Sequence, residues 1–460
     1  MKNFASSTPD AITGPSRLAA VRLAWFSPMP PRRSGIAAYS AEILPLLRRR
    51  YKSIDVFVDR IGDPPATGEF SAHDFVWKHR RQPYDLTIFQ LGNASCHDYM
   101  WAYLFHYPGL VVLHDAQLHQ ARALALLKQR NPRRDHYFAE FQANHPDAPA
   151  DAAELVAEGL AEGLYHHWPF VRLVLESARV AVVHNELVRS DLSERYEVAA
   201  IEAIPMGVID PQASDTRETI LARHGIPSDA LVVGAFGGIT PEKRLGPLLD
   251  AVAALTPSYP NLHVLLVGEE VPHFDVSREA TRFGIADRVH ITGYVPDASL
   301  PSYVAAADIC SCLRWPTNRE TSASWLRCLA AGRATIVTDL AHLVHVPTLR
   351  YPAFAARTSE AVAVSVDVVD EARALPAALA WLLADTRRRQ HLGQTARVWW
   401  QAQHTLAHMA DAYQDVMGRA VARQPSGANL PPHLTDYGGG VLRTLADTLE
   451  VGPQVADLLS

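Results

Sequence analysis

The chain of 460 residues carries 43 Lys and Arg against 49 Asp and Glu, a net charge of −6. That length exceeds one ordinary core, so two domains with additions are expected. The acidic balance argues against a general nucleic-acid binder, and 48% hydrophobic with 20% charged residues excludes a disordered chain.

Four cysteines (Cys96, Cys310, Cys312 and Cys328) show no zinc-site spacing and are expected as free thiols in a reducing cytoplasm. The first residues lack a basic stretch followed by an apolar core, so no signal peptide is expected. No apolar run reaches the roughly 20 residues that span a bilayer, and a soluble protein is expected.

Residues 1–19 read as an N-terminal extension. From there apolar runs of strand length alternate with helical patterns, which predicts parallel sheets covered by helices. The first set is Ala20–Phe26, Ile54–Val58, Leu86–Gln90, Leu110–Leu113, Val180–Val183 and Ile201–Ile204, within a domain over 20–206. A helical insertion is expected over 135–167. The second set is Leu231–Phe236, His263–Val267, Val289–Ile291, Asp308–Leu313 and Ala334–Thr338, within a domain over 207–395. The Pro- and Gly-containing connector Pro205–Asp215 separates them. Val398, Ala402, Leu406, Met409, Tyr413 and Val416 recur at spacings of three and four, predicting one amphipathic helix over 396–420 that returns to the first domain. Residues 421–460 read as a tail with a further helix from Val441 to Leu449. Two doubly wound α/β domains facing each other would form a cleft at the carboxyl ends of their strands, where such folds bind ligands.

Four stretches carry candidate chemistry. Strand Ala20–Phe26 runs into a Pro-rich loop with Arg32 and Arg33, then Ser34-Gly35 opens a helix. Backbone can approach a ligand closely at a glycine, and a helix start attracts negative charge. Strand Leu231–Phe236 leads into Gly237-Gly238 and then Pro241-Glu-Lys243-Arg244, a second Gly-rich junction with two cations. A solvated charged turn is the plainer alternative there. His114-Asp115 and His184 end two strands of the first domain, where donor or acceptor roles are available to them. The stretch Glu320-Thr321-Ser322 puts a carboxylate and hydroxyls at the start of a short helix that ends near Gly332. His97-Asp98, His166-His167 and His342 with His345 lack a matching ligand set and read as structural, so no metal site is expected.

The order of these pieces resembles the family 4 retaining glycosyltransferases of GT-B fold over roughly residues 20–418. It runs from the Pro/Gly loop through the strand-end His114-Asp115 and Val183-His184 to Ile204-Pro-x-Gly-Val208. Pro241-Glu-Lys243, Leu265-Leu-Val-Gly268, Gly293-Tyr-Val295, Ala307-Asp308, Glu320-Thr-Ser322 and Ala331-Gly332 follow. The resemblance implies a nucleotide-diphosphate sugar as donor substrate, with no cofactor. It places His114, Lys243 and Glu320 in catalysis: His114 on the transferred sugar, Lys243 on the diphosphate, Glu320 on sugar hydroxyls. Gly35, Gly237, Gly238, Arg244, Arg314, Thr321 and Ser322 would line the donor, and Asp115 and His184 would touch sugar or acceptor. It further implies transfer with retention by front-face attack, without a metal, onto a glycan, lipid-linked or small-molecule acceptor, as in polysaccharide biosynthesis.

Three positions depart from that pattern. Gly238 stands where an arginine is usual, Arg327 stands in place of the second of two glutamates, and Met206 replaces an asparagine before Gly207. A nucleotide-sugar-binding protein without catalysis is therefore one alternative, and another GT-B enzyme such as a phosphorylase or epimerase is a second. Arg48-Arg49-Arg50 and the segment Leu118–Arg134 leave open a peripheral contact with the inner face of a membrane, against the plainer reading of a solvated helix face.

Overall fold

The computed structural model describes residues 20–59, 68–149, 151–160, 162–352, 354 and 360–436. The N-terminal extension and the helix expected from Val441 to Leu449 lie outside these residues. By its internal contacts the chain divides into two units. Among the described residues, the first holds 20–32, Arg48–Ala203 and 414–436; the second holds Arg33–Leu47 and Ile204–Tyr413.

The first unit contains a seven-stranded sheet of β1 (Arg22–Phe26), β2 (Ser53–Val58), β3 (Glu69–Ser71), β4 (Leu86–Leu91), β5 (Leu110–Leu113), β6 (Val180–Val183) and β7 (Ile201–Ala203). Their order is β3-β2-β1-β4-β5-β6-β7 and every pairing is parallel. The sheet order reverses between β1 and β4, a topological switch point. All six residues of β4 are buried, as a strand covered on both faces requires. The core on one face is aromatic: Phe26 stacks on Phe57 at 5.1 Å and on Phe89 at 4.8 Å, with Phe75 edge-on to Phe57 at 5.2 Å. Each such pair adds about 0.5–1.5 kcal/mol beyond the burial of its area. The insertion between β5 and β6 is helical in pieces: Arg134–Asn144, Ala152–Ala157 and a 3-10 turn at Glu162–His166.

The second unit repeats the plan with β8 (Leu231–Phe236), β9 (Leu262–Val267), β10 (Val289–Ile291), β11 (Ile309–Cys312), β12 (Ala334–Thr338), β13 (Thr348–Arg350) and β14 (Ala363–Val366). The order is β10-β9-β8-β11-β12-β14-β13, again all parallel, over an aliphatic core. Strands β3, β13 and β14 have no counterpart in the sequence reading. They are three or four residues long, too short for periodicity to separate from loop or buried helix.

Two expectations are corrected. The helix Gly35–Leu47, counted with the N-terminal domain in the sequence, belongs by its contacts to the second unit. Its Tyr39 hydroxyl lies 2.7 Å from that of Tyr413, and its Glu42 pairs with Arg327. The single amphipathic helix expected over 396–420 is two helices, Thr386–Gln403 and Leu406–Ala422. The break falls where the chain pairs with the connector. The Val208 N–H donates to the His404 carbonyl at 3.0 Å, and a Cβ on Gly207 would lie 2.4 Å from the Thr405 carbonyl oxygen. Val398 is consequently 65% exposed, while Met409, Tyr413 and Val416 of the second helix are buried.

Candidate active site

In the second unit β8 is the switch strand, flanked by β9 and β11. Its end turns at Gly237, whose φ of +85° suits a residue without Cβ. The Gly237 N–H donates to the Val267 carbonyl at 2.9 Å, and the Ile239 N–H donates to the Glu269 carbonyl at 2.8 Å. A Cβ at Gly237 would meet Lys243 Nζ at 2.8 Å and Ser324 Oγ at 3.5 Å. The glycine therefore leaves room in which a lysine ammonium and a helix start converge. That helix is Ala323–Ala330. It is capped by Ser322, whose Oγ accepts from the Trp325 N–H at 3.2 Å.

The Lys243 ammonium donates to the Phe236 carbonyl at the end of β8. Burial of the ammonium, with the Arg314 charge nearby, brings it from the usual lysine range down to about 7. Arg314 follows β11 and its Nε lies 2.7 Å from Glu320 Oε1. The other carboxylate oxygen of Glu320 accepts from the Thr317 hydroxyl and the Asn318 N–H, both at 2.8 Å. In this state Glu320 organises the loop after β11, tying Arg314 to the start of the following helix. Thr321 lies between that carboxylate and the cap.

Gly35 joins the same unit through its neighbour. Arg33 pairs with Glu269 at 3.0 Å and lies over the Tyr294 ring at 4.2 Å, in the loops after β9 and β10. The Ser34 hydroxyl accepts from the Ile36 N–H at 3.2 Å, and nothing stands within 4 Å of a Cβ on Gly35. Nothing but the Thr240 side chain, at 3.9 Å, approaches one on Gly238. Arg244 points elsewhere. It forms a two-nitrogen ion pair with the buried Glu371, and both line a cavity of about 450 Å³ that neither Lys243 nor Glu320 touches. Arg327 is held by Glu42 across to the helix Gly35–Leu47. Sequence reading missed Glu42, Glu269 and Glu371 because their partners lie 285, 236 and 127 residues away.

At the carboxyl edge of the first sheet, His114 follows β5 and His184 follows β6, and their rings lie 4.9 Å apart. His114 Nε2 is 2.8 Å from Gln90 Oε1, an acceptor, so the ring donates there. Burial, reinforced by His184 and His97, holds His114 well below the usual histidine range, so it works as a neutral imidazole. Asp115 accepts from the Asn93 N–H at 2.7 Å and fixes the loop after β4. His97 donates from Nδ1 to the Gln90 carbonyl at 2.9 Å, a packing role. A cavity of about 240 Å³ opens beside the ends of β1 and β2, lined by Met29, Arg32, Asp59, Cys96 and Tyr99 among others. Sequence motifs gave no sign of Asp59 or Tyr99. Among the described residues no three His, Cys, Asp or Glu side chains group to hold a metal ion.

Two doubly wound parallel sheets, each with a switch point and a polar carboxyl edge, make this chain a GT-B fold of the kind glycosyltransferases use. Residues 230–385, which hold the Lys243–Glu320 site, match the family model described as Glycosyl transferases group 1. A GDP-mannose-dependent alpha-(1-6)-phosphatidylinositol monomannoside mannosyltransferase of Mycolicibacterium smegmatis is 27% identical over 270 residues, 55% of this chain and 66% of the relative. A 2-deoxystreptamine glucosyltransferase of Streptomyces kanamyceticus is 27% identical over 138 residues, 29% of this chain and 35% of the relative. The chain thus spans less than two thirds of the length of these relatives. Among solved structures, sucrose-phosphate synthase from Thermosynechococcus elongatus aligns with a TM-score of 0.60 at 16% identity, over 86% of this chain and 98% of that one. HepE from Anabaena, in complex with UDP and glucose, aligns with a TM-score of 0.57 at 14% identity, over 86% and 99%.

Proposed function

We propose that this chain is a retaining glycosyltransferase that moves a sugar from a nucleotide-diphosphate donor to an acceptor hydroxyl without a metal ion. The observation that carries the reading is the convergence of Lys243, the Gly237 turn and the helix start at Ser322–Ser324 beside the switch strand β8. A diphosphate set there meets an ammonium, the backbone N–H groups of a helix start and the positive end of that helix. These fixed charges stabilise the negative charge that grows on the leaving diphosphate as the glycosidic bond breaks. The arriving anion raises the proton affinity of Lys243, which takes up a proton from solvent and regains its full charge, since an opposite charge favours the ionised form.

Glu320 meets the sugar hydroxyls once the donor displaces part of its loop contacts, and Arg314 stays close to the phosphates. The acceptor hydroxyl attacks from the face the leaving group departs, and the leaving phosphate takes its proton, which retains the configuration. His114 and His184, with Asp115 supporting their loop, serve the transferred sugar and the acceptor. The mannosyltransferase relative names a phosphatidylinositol monomannoside, which supports a glycan or lipid-linked acceptor. The reading includes a cytoplasmic enzyme or one at the inner membrane face; among the described residues no helix is long and apolar enough to cross a membrane.

Proton NMR of the new anomeric centre, with and without excess chelator, tests the mechanism. The expected product keeps the donor configuration and forms at nearly the same rate in chelator. An inverted product, or activity lost to chelator and restored by magnesium, overturns it.

A further inference from the structure

A large cavity of the first unit is lined by none of Lys243, Glu320, His114 or His184. It occupies about 1100 Å³ of the first unit, between the helices Phe75–Arg81, Trp101–Leu104 and His119–Leu127 and the segment His433–Asp436. This exceeds the roughly 300–1,000 Å³ of small-molecule pockets, so it has room for several linked rings.

Its floor is built around Arg122, which is 8% exposed. Arg122 donates from Nε to Glu140 at 2.7 Å and from a second nitrogen to the other carboxylate oxygen, and its Cζ sits 4.4 Å over the Trp101 ring. Burial works against ionisation of Glu140, but the hydrogen bonds from Arg122 and His433 outweigh it and hold this carboxyl below its usual range. Among the described residues the third guanidinium nitrogen, Nη1, has no acceptor. A donor of this kind on a buried side chain, clamped on two sides at the wall of a cavity, is a built anchor for an incoming acceptor atom.

The walls and rim supply the rest. Tyr103 and Tyr107 line one side, and His136 stacks on His433 at 3.9 Å on another. Arg80, Arg130 and Arg133 stand exposed on the rim with no carboxylate partner among the described residues. Against these cations stand the lining carboxylates Asp98 and Asp436. Burial lifts Asp98 to about 6, which suits a carboxyl that takes hydrogen bonds from hydroxyls near neutral pH. Rings that offer a flat apolar face and a polar edge, set among planar guanidinium groups, fit a chain of sugar rings carrying anionic groups.

We propose that this cavity binds an acidic saccharide, one whose rings carry carboxylate or phosphate. The assignment does not depend on the glycosyltransferase reading, because binding is measured without donor or transfer.

Isothermal calorimetry would use two probes, a galacturonic acid tetrasaccharide and a mannopentaose phosphate, beside the methyl ester of the first and inorganic phosphate. We expect saturable binding of at least one acidic probe, and none of the ester or of phosphate in the same range. The Arg130→Ser, Arg133→Ser double variant should weaken that binding about tenfold or more, since charge-assisted hydrogen bonds are the strong ones. Its melting temperature should be unchanged, because both side chains are exposed. Arg122→Met tests the anchor but strands Glu140, so the rim variant decides if that protein does not fold. No binding of either acidic probe overturns the proposal. So does binding that ignores the rim substitutions, phosphate binding as tight as the saccharide's, or binding only to vesicles of phosphatidylglycerol.

Discussion

Lys243 concentrates the chemistry of the second unit in one side chain. Its free ammonium titrates at about 7, below the usual lysine range, because it is shed of water beneath the Gly237 turn with Arg314 at hand. A bound diphosphate reverses this by favouring the charged form. Nucleoside diphosphate affinity should therefore fall as pH rises above about 7, with proton uptake on binding. Calorimetry between about pH 7.5 and 9, where the phosphate is already fully ionised, isolates the lysine. Lys243→Ala should weaken diphosphate binding about tenfold or more and flatten the pH dependence, while leaving nucleoside affinity nearly unchanged. The same linkage has a sign for stability: between about 7 and the usual lysine range the unfolded chain binds the extra proton, so this group makes stability rise with pH there. Glu320→Gln is the companion. The amide cannot accept all the donors of Arg314, Thr317 and Asn318, and each unmet group costs about 1–3 kcal/mol. Nucleoside diphosphate should still bind, with turnover much reduced; a variant that turns over donor at the parental rate would rule out this role.

At the level of elements, the connector and the C-terminal helices hold each other in register. Gly207 lies against the Thr405 backbone, and the Val208–Thr405 bridge fixes where the helix breaks. Gly207→Ala forces the two backbones apart, at a cost of about 1–3 kcal/mol typical of overpacking. Its melting temperature should drop, and crystallographic or hydrogen-exchange data should show loosening at His404–Leu406. Removing the chain after Gln403 is a harsher test. It removes the buried side chains of Met409, Ala410, Tyr413, Val416, Met417 and Ala420 and uncovers the surfaces they pack on. Burial of each large apolar side chain is worth about 1.5–3 kcal/mol, so the truncated protein should melt lower and lose activity although no residue of the Lys243–Glu320 site is gone. Unchanged melting would show that the helix is dispensable.

For the molecule as a whole, the proposed function requires a nucleotide ligand that stabilises the native state by mass action. At about 100 times its Kd, a nucleoside diphosphate adds roughly 2.7 kcal/mol to the stability of the unit that holds it. That should appear as a melting shift of several degrees, since about 2–4 °C accompanies each kcal/mol in units of this size. A screen across bases finds the one this chain prefers, and chelator should leave the shift unchanged. If no nucleoside diphosphate moves the transition, the donor assignment at Lys243 is wrong.

Much of the architecture was legible without coordinates. Apolar runs such as Leu86–Gln90 and Leu231–Phe236 can be stable only when buried on both faces, which forces parallel strands and covering helices. Glycine after a strand and hydroxyls before a helix likewise marked Gly237 and Ser322, because backbone geometry and capping are local properties. What tertiary structure alone decided is where each charge is spent. Nothing local distinguishes Lys243 from Arg244, yet one faces the Gly237 turn and the other is held by Glu371. The membership of the helix Gly35–Leu47, the break at His404 and the convergence on the cavity around Arg122 share that origin. Each depends on residues far apart in the chain, whose encounter follows from packing and from no pattern that neighbours in sequence can display.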